Sequence, residues 1–340
     1  MGLKLSARFE KHFLNFKKPA GTSRGILHEK PCWYLFIKNI ETGVEGIGEC
    51  SIIPGLSIDP LEGYEEKLAE VCKVINLHQA IDLSEILLHH YPSIYLAIEM
   101  AMMDLQNGGK KIYYFNDFTD GKSGIPINGL IWMDTIQTMW EQTIEKVAAG
   151  YKVIKLKIGA LNFREEVNLI AKIRNKFPDI TLRLDANGAF EPAMALEALK
   201  SLAPYHIHSI EQPIKQGQWE AMKDLCKSSP IPIALDEELI GIDDSIKKGE
   251  LLKFIKPSYI IIKPSLLGGL AAADEWISLA EENNIQWWIT SALESNIGLD
   301  AIAQWTASKN IIMAQGLGTG ALYTNNILST LHIREGYLYH

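Results

Sequence analysis

The sequence predicts an α/β fold in which a barrel of alternating strands and helices follows a smaller α+β unit. Five short apolar runs between residues 153 and 265 each end in a charged residue, and these charges stand 25 to 28 residues apart. A parallel strand with its return helix needs roughly 30 residues, so the runs are typical of successive barrel strands. Before residue 125 the pattern is strands and then helices, which is typical of a separate α+β unit.

The composition limits the classes of function. The chain has 340 residues, of which 47% are hydrophobic and 22% charged, ample for a large core. Its net charge is −8 and it has no basic run, so we expect no nucleic-acid partner. It shows no leader and no apolar run near the ~20 residues of a membrane span. The four cysteines have no CxxC spacing, which argues against a disulfide framework or a zinc site. We expect a cytoplasmic protein with no membrane partner.

The N-terminal unit is predicted to begin with an antiparallel sheet. A turn at residues 41–43 separates strands at 33–40 and 43–50, and an earlier strand covers about 4–13. The block 61–109 is helical, and its part from 93 to 106 is apolar nearly all round, so that helix should be buried. Two loops, 21–25 and 53–57, are either surface turns or lids over the barrel mouth that select the substrate.

From residue 126 the pattern changes to strand–helix alternation. We count eight strands between 127 and 318, of which the first is 127–133, the seventh 285–291 and the eighth 311–318. The remaining 22 residues have no place in the barrel and are expected to pack on the N-terminal unit. The predicted domains are therefore an α+β domain over 1–124, a barrel over 125–318 and a C-terminal return over 319–340.

Alternation along the strands places the charges inside the barrel. Side chains two positions apart share a face, so Lys155 and Lys157 point inward together, as do Arg183 and Asp185. Their apolar neighbours then face the helices, which supports the strand assignment. Buried in this way, Arg183 needs a counter-charge, and we expect one of the strand acids to supply it.

The inward charges indicate a metal site. Asp185, Glu211 and Asp236 end three successive strands, and the carboxyl ends of barrel strands are where such enzymes carry their chemistry. Three carboxylates at one point repel each other unless a cation lies among them. Oxygen ligands suit Mg²⁺, with Mn²⁺ as an alternative. Alternation along the fifth strand puts Glu238 on the same inner face as Asp236, and Asn187, Glu237 and Glu238 are placed around this site as supporting residues.

Lysines complete the chemistry that this pattern favours. Lys157 and Lys263 would face the centre from opposite sides of the barrel. A lysine close to a second cation gives up its proton more easily and can serve as a base. A divalent ion flanked by lysines is suited to removing a proton next to a carboxylate.

Two further groups of residues have more than one interpretation. Gly316, Gly318 and Gly320 fit a phosphate-binding loop, but they equally fit a loop that lets substrate approach the backbone. Ser291 and Ser295 either donate hydrogen bonds to a substrate carboxylate or cap a helix. His206 and His208 precede the fourth strand, at the wrong end for chemistry, and are expected to be structural.

These residues resemble the enolase superfamily. Lys155-Leu156-Lys157 is similar to its K-x-K on the second strand, and Lys263 to the lysine on the sixth strand that marks the muconate-lactonising branch. The resemblance implies a modified TIM barrel, (β/α)7β, with an α+β capping domain to which the chain returns. It also implies that Asp185, Glu211 and Asp236 are the metal ligands. The oligomeric state is not determined, and a homo-oligomer is one option.

Four short stretches extend the resemblance to an activity. They are GTSRG (21–25), GECSIIPGLS (48–57), SALESNIG (291–298) and QGLG (315–318). They are similar to members that dehydrate 2-succinyl-6-hydroxy-2,4-cyclohexadiene-1-carboxylate to 2-succinylbenzoate in menaquinone synthesis. The resemblance implies a Mg²⁺-dependent lyase in which Lys157 moves the proton and Lys263 stabilises the anion from the opposite face. The residues implied to contact the carboxylate substrate are Lys155, Arg24, Ser291 and Gly316.

Other functions stay open at this stage. Two lysines on opposite faces could also run an epimerisation, so a dipeptide epimerase or an N-acylamino-acid racemase is the alternative within the superfamily. Dipeptide epimerases usually carry an Asp-x-Asp after the last strand, and residues 313–323 contain none. Outside the superfamily, the alternatives are a non-catalytic metal-binding barrel and a phosphate-binding isomerase or aldolase.

Overall fold

The N-terminal unit is an antiparallel sheet covered by two helices. The computed structural model describes residues 4–22, 25–82, 84 and 86–340. The sheet has the order β1 (Leu5–Thr22), β2 (Gly25–Asn39) and β3 (Glu45–Ser51), and the helices are α1 (Tyr64–His78) and α2 (Pro92–Gln106). The predicted hairpin and the buried helix are both present.

The first strand is longer than predicted, because β1 pairs with β2 as far as Thr22 opposite Gly25, with a register shift between Asn15 and Ala20. Most of the predicted loop 21–25 is therefore strand. Ser23 and Arg24 lie outside the described residues.

Helix α2 lies directly on β3. A Cβ atom at Gly48 would come within 1.9 Å of the carbonyl oxygen of Ala97, and one at Gly46 within 2.0 Å of that of Ala101. Glycine is thus required at both positions because any side chain would push the helix away from the sheet. Between them the sheet and helices enclose an apolar core of their own.

Seven parallel strands follow in sequential order around the barrel. They are β5 (Gly129–Ile131), β6 (Val153–Lys157), β7 (Thr181–Asp185), β8 (Ile207–Glu211), β9 (Ile233–Leu235), β10 (Tyr259–Ile262) and β11 (Gln286–Ile289), and a short strand β4 (Ile125–Pro126) precedes them. The helices are α3 (Ile136–Ala148), α4 (Phe163–Lys176), α5 (Pro192–Leu202), α6 (Trp219–Ser228), α7 (Ser245–Ile255), α8 (Pro264–Leu267), α9 (Leu270–Glu282) and α10 (Asn296–Ala307).

Local sequence explains several of these helix starts. The side chains of Thr135, Asn162, Asp244 and Ser295 accept hydrogen bonds from free N–H groups in the first turns of α3, α4, α7 and α10. Apolar residues of the strands and helices then form one core that surrounds the barrel. Ser295 is one of these caps, so the capping interpretation of this serine holds.

The predicted eighth strand is wrong in detail. Residues 311–318, here called the closing segment, form single bridges at Gln315 with Ile127 and at Gly316 with Thr290 in place of a ladder. The segment still closes the barrel between β11 and β5. Glycine is a poor strand former, and Gly316 and Gly318 explain why no regular strand forms here.

The C-terminal residues contact both parts of the molecule. Tyr323 bridges Phe16, and the N–H of Thr324 donates to the carbonyl of Asn15 in β1. The hairpin of β12 (His332–Arg334) and β13 (Tyr337–Tyr339) then pairs with β4. The domain boundaries at 124 and 318 stay a prediction. In the described part of the chain, no helix combines the length and apolarity needed to cross a membrane.

Candidate active site

The five spaced charges meet at the carboxyl end of the barrel. Lys157, Asp185 and Glu211 are the last residues of β6, β7 and β8, and the strand register places them side by side. Asp236 and Lys263 directly follow β9 and β10. All five residues are at most 9% exposed, so the strand period read from the sequence does bring them to one buried centre.

Lys155 lies between two of the carboxylates. Its Nζ is 2.9 Å from Oδ2 of Asp185 and donates to Oε1 of Glu211 at 2.6 Å. Since Lys155 is two residues before Lys157 on β6, both amines point to the same interior. The ammonium of Lys155 therefore occupies the place where two acids would otherwise repel each other.

The other two lysines are also paired with acids. Lys157 Nζ donates to Oδ2 of Asp185 at 3.1 Å and to Oδ1 of Asn187 at 2.6 Å. Lys263 Nζ donates to Oδ2 of Asp236. Strands β6 and β10 are separated by three others, so Lys157 and Lys263 approach the centre from opposite sides of the barrel.

Electrostatics in this cluster follow from burial and from the neighbouring charges. Burial alone would lower the pKa of Lys155, but the carboxylates of Asp185 and Glu211 outweigh it and raise that pKa. Burial would raise the pKa of Asp185, but the ammonium groups of Lys155 and Lys157 hold it below its ordinary value. For Glu211, burial and the neighbouring Asp185 together raise the pKa well above its ordinary value. The neighbouring lysines thus do not fully compensate the ionised form of Glu211.

A cavity opens above these charges. Its empty volume is about 1000 Å³, part of it open to solvent. Charged and amide side chains from the barrel form its floor, namely Lys155, Lys157, Asp185, Asn187 and Lys263. The walls are mainly apolar and include Ile53, Leu56, Leu130, Trp132 and Leu293. Such a cavity, apolar with a few converging charges, is the usual form of a small-molecule site.

The predicted substrate contacts have different outcomes. Ser291 and Gly316 both line the cavity. The hydroxyl of Ser291 donates to Glu294 at 2.6 Å and accepts from Thr319 at 2.7 Å, so it offers no proton to a substrate in this arrangement. A Cβ atom at Gly316 would lie 2.5 Å from Oγ1 of Thr290, so this glycine serves close approach between backbone segments. Arg24 lies outside the described residues.

The supporting residues are arranged differently from the strand-based prediction. Residues Glu237–Leu239 form a short 3-10 turn, so strand alternation stops before Glu238 and cannot place its side chain on the inner face. Glu238 instead accepts from Nε2 of Gln212 at 3.1 Å and from the N–H of Gly217 at 2.7 Å. Asn187 donates to Oε1 of Glu237 at 3.0 Å while it accepts from Lys157. Asn187 thereby orients the amine of Lys157.

Gln212 was missed by the sequence reasoning. Its Oε1 accepts from the N–H groups of Asp236 and Glu238, at 3.1 and 3.2 Å, and it is fully buried. It therefore fixes the backbone that carries Asp236. Gln212 has a φ of 38°, a left-handed conformation unusual for a side chain other than glycine. A single glutamine after a strand gives no signal in the sequence, and neither do Trp132 and Thr319.

Arg183 does not find the carboxylate predicted for it. Its guanidinium donates to the carbonyl oxygen of Ala314 at 2.8 Å and lies 4.0 Å from the ring centre of Trp288. Within the described residues it forms no ion pair. Burial lowers the pKa of Arg183 to about 10, against the opposing effect of Glu211, so it is still a cation at neutral pH. The strand acids are already paired with lysines, which explains the difference.

His206 and His208 have structural surroundings, as expected. His208 is stacked on Tyr259, with ring centres 5.1 Å apart, and burial lowers its pKa to about 4. Both histidines lie before or within β8, away from the cavity.

The three acids fit a hard divalent cation in their chemistry and position. They offer only carboxylate oxygens, come from adjacent strands, and include Glu211, whose ionised form is disfavoured by burial and by Asp185 and would be stabilised by a cation. As the side chains stand, however, no three His, Cys, Asp or Glu residues in the described ranges are grouped closely enough to hold a metal ion. The lysines explain this, because each acid is turned toward an ammonium group. Binding an ion would require Asp185 and Glu211 to release Lys155.

The chain is similar to a family model, to named relatives and to solved structures. A family model described as Enolase C-terminal domain-like matches residues 138–339. The o-succinylbenzoate synthase of Desulfotalea psychrophila is 46% identical, over 99% of this chain and 99% of that protein. The crystal structure of MenC from the same organism matches with a TM-score of 0.88 and 42% identity, over 99% and 100% of the two chains. The hydrophobic dipeptide epimerase of Enterococcus faecalis is 28% identical, over 84% of this chain and 82% of that protein.

Proposed function

We propose that this chain, which belongs to the enolase C-terminal domain-like family, is a carbon–oxygen lyase. The reaction is the dehydration of 2-succinyl-6-hydroxy-2,4-cyclohexadiene-1-carboxylate to 2-succinylbenzoate. The observation that carries the proposal is the pair of buried amines, Lys157 and Lys263, on opposite sides of one cavity. The 46% identity over nearly the full length of a relative named o-succinylbenzoate synthase supports the same reaction. Menaquinone synthesis as the pathway and the cytoplasm as the location belong to the proposal.

Lys157 is the residue that moves the proton. As a neutral amine it takes the proton from the ring carbon that bears the carboxylate, and the electron pair of that C–H bond is delocalised onto the carboxylate. This pair then forms the new ring double bond as the C–O bond to the hydroxyl group breaks, and the ammonium of Lys157 returns the proton to the leaving oxygen. Water departs and the ring becomes aromatic. Asn187, which accepts a hydrogen bond from Lys157, keeps the amine directed at this side of the cavity.

Lys263 and Lys155 act by charge. Lys263 lies across the cavity from Lys157, and its raised pKa, set by Asp236 and Glu211 against the effect of burial, keeps it an ammonium. It stabilises the negative charge that develops on the opposite face of the ring. Lys155 is likewise an ammonium and lies next to the position of the substrate carboxylate, which it would hold in place.

The proposal includes Mg²⁺, with Mn²⁺ as an alternative. Asp185, Glu211 and Asp236 would hold the ion. When bound, it would stabilise negative charge on the substrate carboxylate as a Lewis acid. It would also offset the burial and the repulsion by Asp185 that together raise the pKa of Glu211.

A second candidate function shares the same groups. Since Lys157 and Lys263 face each other across the cavity, one could remove a proton and the other return it, which is an epimerisation. The 28% identity to a dipeptide epimerase agrees with this possibility. Such a substrate carries an ammonium group, and the closing segment contributes only Gly316 and Gly318 to the cavity. The lack of an acid there favours the dehydration.

The test follows the two reactions in parallel. The cyclohexadiene acid is incubated with enzyme and Mg²⁺, and the decay of its absorbance is recorded before and after EDTA is added. We expect decay with Mg²⁺, none with excess EDTA, and recovery when Mg²⁺ is restored. A panel of dipeptides in D₂O, examined for deuterium at the α-carbon, tests the alternative. Fast α-deuteration without decay of the diene would replace the lyase by an epimerase.

A further inference from the structure

The closing segment is weakly held for a part of the cavity wall. In the described structure, backbone hydrogen bonds join it to the neighbouring strands at two residues, Gln315 and Gly316. Gln315 exchanges bonds with Pro126 and Asn128, at 2.8 and 2.9 Å, and Gly316 with Ile289 and Ser291, at 2.7 and 3.0 Å. At and directly after these bonds, the backbone of Gly316 and Gly318 lines the substrate cavity. The position of this backbone relative to the cavity floor therefore affects substrate binding.

Arg183 reaches this segment from the far side of the barrel. It belongs to β7, which is separated from the closing segment by β5 and β6 on one side and by four strands on the other. Its Nη1 nevertheless donates to the carbonyl of Ala314 at 2.8 Å, so the side chain crosses the interior. It is 3% exposed, lies two residues before Asp185 on β7, and is the direct neighbour of Lys155 in the strand register.

A second contact fixes the direction of that side chain. The guanidinium carbon of Arg183 lies 4.0 Å from the ring centre of Trp288, a distance at which a cation is attracted to the aromatic face. Trp288 belongs to β11, the direct neighbour of the closing segment. It is itself buried with Ala234 and Ile261 in a small apolar cluster inside the barrel. The guanidinium of Arg183 is therefore held by the ring of Trp288 and by the carbonyl of Ala314.

We propose that Arg183 is a positioning residue for the substrate cavity. Its guanidinium packs on Trp288 and donates to the carbonyl of Ala314. It thereby fixes the position of the following residues, Gly316 and Gly318, relative to the cavity floor. A buried cation that forms no ion pair is unfavourable unless other contacts compensate, and within the described residues the carbonyl of Ala314 and the ring of Trp288 are its direct contacts. This inference rests on the proposed function only for its kinetic test.

The main test replaces Arg183 by methionine, which keeps much of the bulk and removes the donor and the charge. We expect KM to rise by about tenfold and kcat to change by less than about threefold, because the cavity wall moves while the lysines stay in place. Binding of 2-succinylbenzoate, measured by calorimetry, should weaken by the same factor. Hydrogen exchange of amides 315–319 should accelerate by about tenfold, while amides of β6 and β7 keep their protection.

Arg174 provides a matched control. It also donates to backbone carbonyls, those of Tyr205, Pro178 and Ile180, but near the opposite end of the barrel strands. Arg174→Met should lower thermal stability without raising KM or exchange at 315–319. Equal KM values for Arg183→Met and Arg174→Met would overturn the proposal, as would unchanged exchange at 315–319 in Arg183→Met.

Arg183→Lys decides the matter if the methionine variant does not fold. Lysine keeps a donor but loses the planar stacking surface. We therefore expect a KM above that of wild type but less than tenfold higher, with kcat unchanged. A wild-type KM, or a fall in kcat at unchanged KM, contradicts the positioning role. The exchange measurement needs no substrate, so it tests the role of Arg183 even if the lyase reaction itself proves wrong.

Discussion

Asp185 in the barrel and Asp59 in the N-terminal unit are both buried, with 1% and 4% of their surface exposed. Their surroundings differ. Asp185 is within 2.9 and 3.1 Å of two lysine amines, whereas Asp59 accepts hydrogen bonds from the hydroxyl and the N–H of Ser93. The pKa of Asp185 is accordingly lowered, while burial raises the pKa of Asp59 to about 7 in spite of those hydrogen bonds.

The comparison shows how the two regions treat buried charge. Burial alone makes a carboxylate take up a proton, and at Asp185 the amines of Lys155 and Lys157 reverse that effect. The barrel mouth therefore keeps Asp185 and the amine of Lys155 charged together, which is what ion binding requires. The N-terminal unit has no such use for Asp59, which caps the start of α2 through Ser93.

The largest effect is expected from removing the base. Lys157→Ala should lower kcat by a factor of about 10³ or more, because the amine both takes and returns the proton. Steady-state rates with the cyclohexadiene acid measure it. Lys157 Nζ lies 5.9 Å from the ring centre of Trp132, and Lys172 Nζ lies 4.0 Å from that of Trp140, but on the outer helix α4. Lys172→Ala should keep wild-type rates. A near-native rate for Lys157→Ala would remove this lysine from the mechanism.

Removing the shared cation should make the barrel acids behave like Asp59. Lys155→Met leaves Asp185 and Glu211 buried without their common partner, which we expect to cost about 3–5 kcal/mol of unfolding free energy. Urea unfolding measures this loss. Mg²⁺ should restore part of it, because an ion that binds only the folded state stabilises that state.

Lys248 is the control for that experiment. It is buried as deeply as the barrel lysines, but its partner Glu275 is 36% exposed and can return to water. Lys248→Met should therefore destabilise the protein less and show no recovery with Mg²⁺. Equal losses in the two variants, or no response of Lys155→Met to Mg²⁺, would contradict the role given to Lys155.

The smallest effect concerns pH and Asp59. Its pKa is about 7 in the folded state against 3.8 as the ordinary value, so between these values the folded protein binds more protons than the unfolded chain. The unfolding free energy contributed by this group therefore falls as pH rises from about 4 to about 7. Asp59→Asn removes the group, and its stability relative to wild type should increase by about 1–2 kcal/mol between pH 5 and pH 7.

Two titratable neighbours of Asp59, Cys50 and Tyr64, do not contribute to this pH dependence. Burial raises the pKa values of Cys50 and Tyr64 well above their ordinary ranges, so both stay protonated throughout the window. Urea unfolding of wild type and variant at several pH values gives the difference. A difference that is flat from pH 5 to pH 7 would show that Asp59 is ionised across the whole range.

The sequence alone determined the fold and the identity of the central charges. The predicted superfamily and its barrel with an α+β cap are confirmed by the family match and by the MenC structure. Lys157, Asp185 and Glu211 could be placed on one face because strand alternation and the strand–helix repeat are local properties of the chain. The sequence also excluded regular metal or nucleophile motifs of other kinds.

Only the tertiary structure decided which groups meet. The pairing of Lys155 with two acids, the contact of Arg183 with Ala314 and the two bonds from Gln212 join residues that are 24 to 131 positions apart. The same is true of the irregular closing segment, whose place depends on strands at both ends of the barrel. Periodicity along a strand determines which way a side chain points. Its hydrogen-bond partner is determined by the packing of elements that are distant in the sequence. Burial and the neighbouring charges then shift the pKa of each group.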